Sequence, residues 1–556
     1  MPRRERMSAV DTAWLRMDRP TNLMMIVGVM VFAQRMDFQR LRATIDARLV
    51  ARYRRFRQCA VQEVTGAWWQ DDPDFDLDAH LRRRALPAGA GKKELQALAS
   101  ELAVQPLNPG KPLWRFDLIE HYGGGSAMVV RIHHSIADGI ALVGVVLSLT
   151  DLAPTARPQA AMAEEPDPTE VDEAPQSLIE TLADALGSAI SIGTEFGGRA
   201  MELAASPDKL STYGRYGVGL LTELAKLLAM PADSPTSLKG KTSTVKRVAW
   251  ADPLPLAEVK ALGKALGCSV NDILLSAVAG ALRAYFLQKG EAVQDVEVRA
   301  MIPVNLRSAK DEGTLGNRFG LGTLSLPVHE ANPFARLFIV RERMNELKGS
   351  YQPPLTLAIL AAVGVAPKMV QQQFLDILAA KASTVMTNVP GPKQPLYLAG
   401  SCLDQCMFWV PQSGDIGIGV SILSYNDNVQ FSLITDRHFV ADPETITPLF
   451  AAEFEKMLLA LLMLEWDRPI DPAQVEQMLF DKAVPPPLTA ATPQAKAARK
   501  RMARTAPATT AARKAAATPQ RKSAGTRKAA AAATPPPVAA EPPTMRRIPK
   551  RFRKAG

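Results

Sequence analysis

The chain has 556 residues, too many for one ordinary hydrophobic core; length alone allows about three to four domains, and two large ones with extensions fit the pattern better. Hydrophobic residues make up 47% of it, a globular level. The net charge of +10 belongs to one end, because residues 481–556 hold 18 Lys or Arg against two acids, Asp481 and Glu541; that net +16 leaves the preceding 480 residues at −6, and a body of that sign gives no support for nucleic-acid binding by the folded part.

Residues 1–152 carry strand signals at Met24–Phe32 and Ala127–Ile132, with helices expected at Phe38–Arg52 and Lys93–Ala103. The second apolar run ends in His133-His134, followed by Asp138-Gly139 and a helix start at Ile140–Leu149. His133–Ala137 is therefore a loop at a strand end, a place where a side chain is held on a rigid base. A hydroxyl attacks an acyl carbonyl poorly unless a base takes its proton as the bond forms, and imidazole titrates nearest neutrality. The pattern suits acyl transfer to an alcohol. Adjacent histidines point in different directions, so at most one is expected to reach substrate: His134 is assigned as the general base, and His133 as the packed partner. For an arbitrary pair, two buried and satisfied histidines at a helix cap would be the plainer reading.

Residues 153–176 are rich in Pro, Ala and acid, including Glu164, Glu165, Asp167 and Glu170, and are expected to form a mobile surface loop. Leu178–Ala229 has helical spacing, which fits linker helices packed on the body or an amphipathic face touching lipid; both readings can hold on different faces. The stretch 153–240 is read as a linker. From 241 to 475 the expected elements are a helix at Leu256–Leu266, a strongly apolar helix at Asn271–Leu287, strands near Glu297–Pro303 and Gly419–Leu423, and a last helix at Pro448–Trp466. That mixed order is α/β or α+β. Asn271 and Asp272 open a long helix, so they are either its N-cap or substrate-positioning groups. Residues 481–556, with segments such as Ala511-Ala-Arg-Lys-Ala-Ala-Ala-Thr-Pro519, lack the apolar content to fold. Such a tail can hold DNA, polyphosphate or anionic lipid non-specifically and lose them with salt, or can serve no dedicated partner.

The four cysteines, Cys59, Cys268, Cys402 and Cys406, are sparse and irregularly spaced, which suits a reducing compartment and leads to an expectation of cytoplasmic residence. Cys402-x-x-x-Cys406 has no histidine or second cysteine pair nearby, so no metal is expected. Met24–Ala33, Leu355–Ala366 and Met457–Leu464 fall short of the run of about 20 apolar residues that a membrane helix needs, and no segment is read as one. The absence of a Gly-x-Ser-x-Gly elbow, and of a cysteine in a nucleophile motif, disfavours a covalent acyl-enzyme.

His133-His134-x-x-x-Asp138-Gly139 resembles the signature of the CoA-dependent acyltransferase superfamily. Further segments, in order, narrow the resemblance to the bacterial wax ester synthase/diacylglycerol acyltransferase family: Asp11-x-x-Trp14-Leu15, Pro112-Leu113-Trp114, Ser269-Val-Asn271-Asp272, Pro303-Val-Asn305-Leu-Arg307, Gly316-Asn317, Thr387-Asn388-Val-Pro390-Gly391-Pro392, Ser424-Tyr425 and Asp436-Arg437. It runs from about residue 8 to about residue 470. Thr236–Gly240 keeps the family pattern only loosely, and the Asp-Phe-Gly-Trp-Gly motif of plant alcohol acyltransferases is absent.

The resemblance implies two chloramphenicol acetyltransferase-like lobes, each a mixed sheet with flanking helices, and a tunnel between them with one catalytic centre. It implies direct transfer of a long-chain acyl group from acyl-CoA to diacylglycerol, giving triacylglycerol, or to a long-chain alcohol, giving wax ester, with acyl-CoA as substrate and no cofactor. Asp138 is expected to pair structurally with Arg307, Gly139 to allow a tight turn, and Asn271 with Asp272 to line the tunnel, Asn271 as an acyl-oxygen donor or alcohol-positioning group. Pro112 and Trp114 are expected to pack on the catalytic strand, and Asn305 to be structural. Asn388–Pro392 reads as a stiff turn by which one lobe crosses to the other. Lys239, Lys241 and Lys246 are the candidates for CoA phosphates. Peripheral association with the inner membrane or a lipid inclusion, through the basic tail, is the expected location. The alternatives are a non-catalytic lipid-inclusion or DNA-tethering protein with an acyltransferase-like body, and an acyltransferase for another hydroxyl.

Overall fold

Apolar runs with few breakers become inner strands of this protein, and apolar runs with helical spacing become the helices that cover them. A computed structural model describes residues 4–63, 66–154, 223–224, 226–227, 229–307, 315–366 and 368–463. The first half contains β1 (Arg4–Arg6), α1 (Ala9–Arg16), β2 (Met25–Phe32), α2 (Phe38–Ile45), β3 (Gln58–Glu63), β4 (Gly66–Asp71), α3 (Leu77–His80), β5 (Leu81–Arg84), α4 (Lys92–Ala103), β6 (Trp114–Tyr122), β7 (Gly125–His133), α5 (Gly139–Leu149) and β8 (Thr150–Asp151). The second contains β9 (Lys246–Trp250), β10 (Leu254–Pro255), α6 (Leu256–Leu266), α7 (Val270–Gln288), β11 (Val298–Asn305), β12 (Phe319–Leu326), α8 (Pro333–Lys348), α9 (Gln352–Val365), α10 (Lys368–Ala380), β13 (Thr384–Pro390), β14 (Tyr397–Leu398), β15 (Ser401–Trp409), β16 (Ile418–Tyr425), β17 (Asn428–Asp436) and α11 (Thr447–Leu462).

Two mixed sheets result, as the two-lobed α/β reading requires. The first has the order β5-β6-β7-β2-β15-β14-β8. The second has the order β10-β17-β16-β13-β11-β12, with β9 also paired to β17. A small antiparallel sheet, β1-β4-β3, lies beside the first.

The lobes do not divide the sequence where a contiguous boundary near 241 would. β15 pairs antiparallel with β2, so residues of the second half complete the first lobe's sheet. The reason is the strand edge: β2 would otherwise present unpaired N–H and C=O groups on the side away from β7. Thr384–Pro390, whose end reads as stiff turn chemistry, is strand β13 up to Pro390, in parallel register with β16. The crossing proper is residues 391–396.

α6 has the bounds expected from its spacing and closes on Gly267 at φ 65°, a left-handed position that glycine takes without strain. α7 is long and apolar enough to cross a membrane, contrary to the expectation that no segment would qualify. It is instead the central helix of the second lobe, with Ile273, Val278 and Leu282 buried in one core with Phe431, Phe450 and Phe454. Packing on all sides, not lipid, explains a helix apolar around its circumference. A second core fills the first lobe around Met30, Trp114, Val130 and Leu142. A third joins the lobes, with Val27, Val129 and Leu95 against Val248, Trp250 and Ile434. Leu224 and Leu227 of the linker pack on Leu355 and Ile359 of α9. The acidic loop from 155 onward, most of the linker helices and the tail lie outside the described residues.

Candidate active site

All nine residues of β7 are buried, and the strand ends at His133. Its register with β2 sets Met25 opposite His133, and its register with β6 sets Trp114 opposite Ile132. The loop beyond is fixed by its backbone before any side chain acts. His133 N donates to Leu113 O at 2.9 Å and His134 N donates to Met24 O at 2.7 Å. The carbonyl of His134 accepts from Asn317 Nδ2 at 2.7 Å, and the same amide nitrogen donates to Asp11 Oδ1 at 2.7 Å.

The His134 ring is buried and stacks on Trp14, with centroids 4.2 Å apart and 18° between planes; Phe319 lies at 5.5 Å. Burial pushes its pKa from 6.5 down to about 4; Asp138 and the residue's own carbonyl oppose this, and His133 adds to it. His134 is thus a neutral imidazole at working pH, able to accept a proton. Its Nδ1 is buried and makes no hydrogen bond. His133 points elsewhere. Its Nδ1 accepts from Ser135 N at 3.1 Å and lies 2.8 Å from Ser135 Oγ, while Nε2 is 3.3 Å from Asp18 Oδ2.

Asp138 caps α5 by accepting from Ala141 N at 2.9 Å. Its Oδ2 accepts from Arg307 Nη2 at 2.9 Å and from Arg318 N at 3.0 Å, and both side chains of the ion pair are nearly inaccessible. Arg307 Nη2 also donates to Gly316 O at 2.6 Å. Gly316 N donates to Ile136 O and Asp138 N donates to Gly316 O, so residues 316–318 form a strap under the histidine loop. Gly316 sits at φ +94°, which disfavours any side chain there. The tight-turn role expected of Gly139 is not what the backbone requires: Gly139 is the first residue of α5, outside the left-handed region, and a Cβ would meet nothing within 4 Å. The residue that needs glycine is Gly316, because the strap and not the histidine loop makes the turn.

Asp272 is used by α7 itself. Its Oδ2 accepts from Ser269 N at 2.9 Å and its own N donates to Ser269 Oγ at 3.2 Å, a reciprocal capping box, while Oδ1 is buried and makes no hydrogen bond. Asn271 Oδ1 accepts from Asn388 Nδ2 at 2.9 Å, tying α7 to β13. Neither bond runs to the histidine loop. Trp114 is buried, stacks on His80 at 4.6 Å and donates from Nε1 to Phe56 O at 2.9 Å; its backbone N donates to Pro112 O at 2.9 Å. Asn305 Oδ1 accepts from Arg307 N at 3.0 Å and so shapes the approach of that arginine. The three lysines suggested for CoA phosphates are engaged. Lys246 is buried against Asp436 at 3.0 Å, Lys239 donates to the carbonyls of Ala380 and Ala382, and Lys241 pairs with Asp415 at 2.7 Å. Among the described residues, no group of three His, Cys, Asp or Glu is placed to hold a metal ion.

Trp14 also lines a small, mostly apolar cavity of about 40 Å³, bounded by Met17 of the first lobe, by Met301 and Leu321 of the second sheet, and by Ile359 of α9, with Thr323 and Gln352 adding polar groups. The ring beneath the imidazole is thus a wall of this void. Sequence reasoning quoted Asp11, Trp14 and Asn317 within its motifs but gave them no role. Their signal was only their place in the ordered set.

Residues 7–274 match the wax ester synthase/diacylglycerol acyltransferase catalytic domain, and residues 315–458 match the C-terminal domain of that family. The chain belongs to the wax ester synthase/diacylglycerol acyltransferase family. It is an acyltransferase, and the paired histidines, Asp138 and Asn271 fall within its catalytic-domain match, whereas Arg307 lies between the two matches. A probable diacylglycerol O-acyltransferase, tgs1, of Mycobacterium tuberculosis is 29% identical over 379 residues, 67% of this chain and 77% of that protein. A putative diacylglycerol O-acyltransferase of Mycobacterium bovis is 28% identical over 470 residues, 81% and 90% of the two chains. The wax ester synthase/diacylglycerol acyltransferase from Marinobacter aquaeolei VT8 superposes with a TM-score of 0.59 at 19% identity, covering 82% of this acyltransferase and 100% of that chain. The first condensation domain of the calcium-dependent antibiotic synthetase superposes at 0.53 with 16% identity, covering 83% and 97%. Both share its fold.

Proposed function

We propose that this enzyme moves a long-chain fatty acyl group from acyl-CoA to the hydroxyl of diacylglycerol or of a long-chain alcohol, with His134 as general base. The observation that carries the reading is a neutral, buried imidazole stacked on a ring that walls an apolar void. The alcohol oxygen attacks the thioester carbon as its proton passes to Nε2 of His134. The C–O bond forms, the C–S bond breaks, and the imidazolium gives the proton to the departing CoA thiolate. Charge that develops on the acyl oxygen needs a donor, and Asn271 is our candidate for it. The apolar wall beside Trp14, with Thr323 and Gln352 set in it, supports an acceptor that brings hydrocarbon together with ester oxygens.

For an enzyme with such substrates we place the protein at a membrane or lipid-inclusion surface. Ile140, Leu147 and Leu152, exposed on and just after α5, support contact with lipid, and the +16 of residues 481–556 supports attraction to anionic headgroups, polyphosphate or DNA. The test is an assay of purified protein with palmitoyl-CoA against diacylglycerol and hexadecanol, following free thiol. Production of acylated acceptor by the native chain and its loss in His134→Ala is the expected result; a variant that retains more than about a hundredth of native turnover overturns the base assignment, since a general base contributes about 10²–10⁴-fold.

A further inference from the structure

Asp18, between α1 and β2, touches two of the supports that hold His134. Its Oδ1 accepts from Met24 N at 2.5 Å, and the carbonyl of the same Met24 accepts from His134 N at 2.7 Å. Its Oδ2 lies 3.3 Å from His133 Nε2. One carboxylate thus stands behind the residue to which His134 is bonded and beside the ring of the residue before it. The side chain of Asp18 is 41% exposed and that of His133 2%, so the carboxylate keeps part of its hydration while the imidazole has almost none.

The segment that carries Asp18 is itself fixed. Asn22 N donates to Arg19 O at 2.9 Å and Arg19 N to Asn22 O at 3.2 Å, which closes a turn just after it. Asn22 is buried and donates from Nδ2 to Gly414 O at 2.7 Å, and Arg19 Nη1 donates to Asp376 Oδ1 at 2.7 Å. Both ties run to the second half of the chain, to the turn before β16 and to α10. A group that positions another must be held in this way.

His133 Nδ1 accepts from Ser135 N at 3.1 Å, so in the neutral ring the proton sits on Nε2. That nitrogen is buried and makes no hydrogen bond of good geometry, and the Asp18 carboxylate is the acceptor beside it. A small rotation of Asp18 aligns the two, whereas a buried donor left unpaired costs about 1–3 kcal/mol. His134 is enclosed by this arrangement, because its backbone lies between the His133 ring and the Ser135 N–H that the ring accepts. Rotation of the His133 ring opens that three-residue bracket and carries His134 with it.

We propose that Asp18 is a positioning residue for acyl transfer: by holding the Nε2–H tautomer of His133 and the backbone of Met24, it fixes where the His134 imidazole stands. This rests on His134 as general base and deepens that reading. Asp18 touches no reacting atom and acts through its two neighbours.

Asp18→Asn keeps an oxygen for Met24 N but can turn an N–H toward that of His133, and Asp18→Glu restores a carboxylate. Both are compared with the native full-length chain in kcat and KM for palmitoyl-CoA and hexadecanol, in thermal melts, and in long-range spectra of 15N-labelled histidine, where the His133 signals are those lost in His133→Gln. Asp18→Asn is expected to lower kcat about tenfold or more with KM for both substrates changed by less than about twofold and a melt near native, and Asp18→Glu to recover most of the loss. The native spectra are expected to show His133 protonated at Nε2, and Asp18→Asn to lose that pattern. Native kcat in a folded Asp18→Asn, an equal loss in the two variants, or a native His133 protonated at Nδ1 overturns the proposal. Should the native chain transfer no acyl group, or His134→Ala stay active, the general-base reading fails by itself and the spectra judge Asp18: an Nε2 proton that depends on the carboxylate supports its hold on His133, and one unaffected by Asp18→Asn overturns it.

Discussion

His134 joins two demands that usually conflict. A base must hold a lone pair at working pH, and burial against Trp14 secures this by making the charged ring costly. With the folded pKa near 4 against an ordinary 6.5, the unfolded chain binds a proton between those values that the folded protein refuses. The site's contribution to stability is therefore complete above pH 6.5 and is lost as pH falls toward 4. The acidic limb of kcat/KM is expected well below pH 6.5, and a pH–rate profile with its midpoint at 6.5 would contradict the buried neutral ring. Asp138→Ala removes a helix cap and leaves Arg307 buried without its carboxylate; a loss of about 3 kcal/mol or more in denaturant melts is expected, with activity falling alongside. A variant with native stability and no turnover would assign Asp138 a direct chemical role instead. The histidine pair was legible in the sequence because its chemistry is local. Trp14 was not, because nothing in residues 11–15 states what ring they will meet.

Among elements, the strap at 316–318 decides the shape of the site. Asn317 reaches both the His134 carbonyl and Asp11, whose carboxyl burial holds above the usual range. Asn317→Ala removes both bonds and leaves buried acceptors, a change of about 1–3 kcal/mol. It should also shift the imidazole; a displacement of about 1 Å can cost about a hundredfold in rate, so kcat is expected to fall more than stability alone explains. Thermal melting and steady-state rates on the same sample check this, and unchanged kcat in a destabilised variant would make the strap purely structural. Helices α6 and α7 were legible from apolar spacing. The capping of α7 was legible less well, since Ser269 and not Asn271 holds the cap. β12, β13 and β17 escaped notice because short apolar runs do not distinguish strands from packed helices.

At the scale of the described body, two large sheets carry the lobes, and the second half of the chain supplies strands to both. β14 and β15 leave the second half of the chain to finish the first lobe, so the lobes are joined through a common core as well as through the strap. Movement of one lobe against the other is accordingly resisted by buried apolar contact on both sides of the site. Removal of residues 483–556 is expected to leave this body whole, since the buried cores of both lobes are built from residues before 464. The shortened chain is expected to keep its kcat on dispersed substrate and to lose salt-sensitive binding to vesicles containing phosphatidylserine. Equal vesicle binding by the two chains in low salt would show that lipid attraction lies in the body.

Residue chemistry and order were sufficient to reach the family, the base, the Asp138–Arg307 pairing and the basic tail as matters for test, because each is written in nearby residues or in an ordered set of motifs. Tertiary structure alone decided the ring stacked on His134, the strap that carries Asn317, the engagement of all three suggested phosphate lysines, and the contribution of β14 and β15 to the first lobe's sheet. Those depend on contacts between residues more than a hundred positions apart, 120 for Trp14 and His134 and 306 for Asn317 and Asp11, and no local pattern encodes which distant group will complete a buried contact.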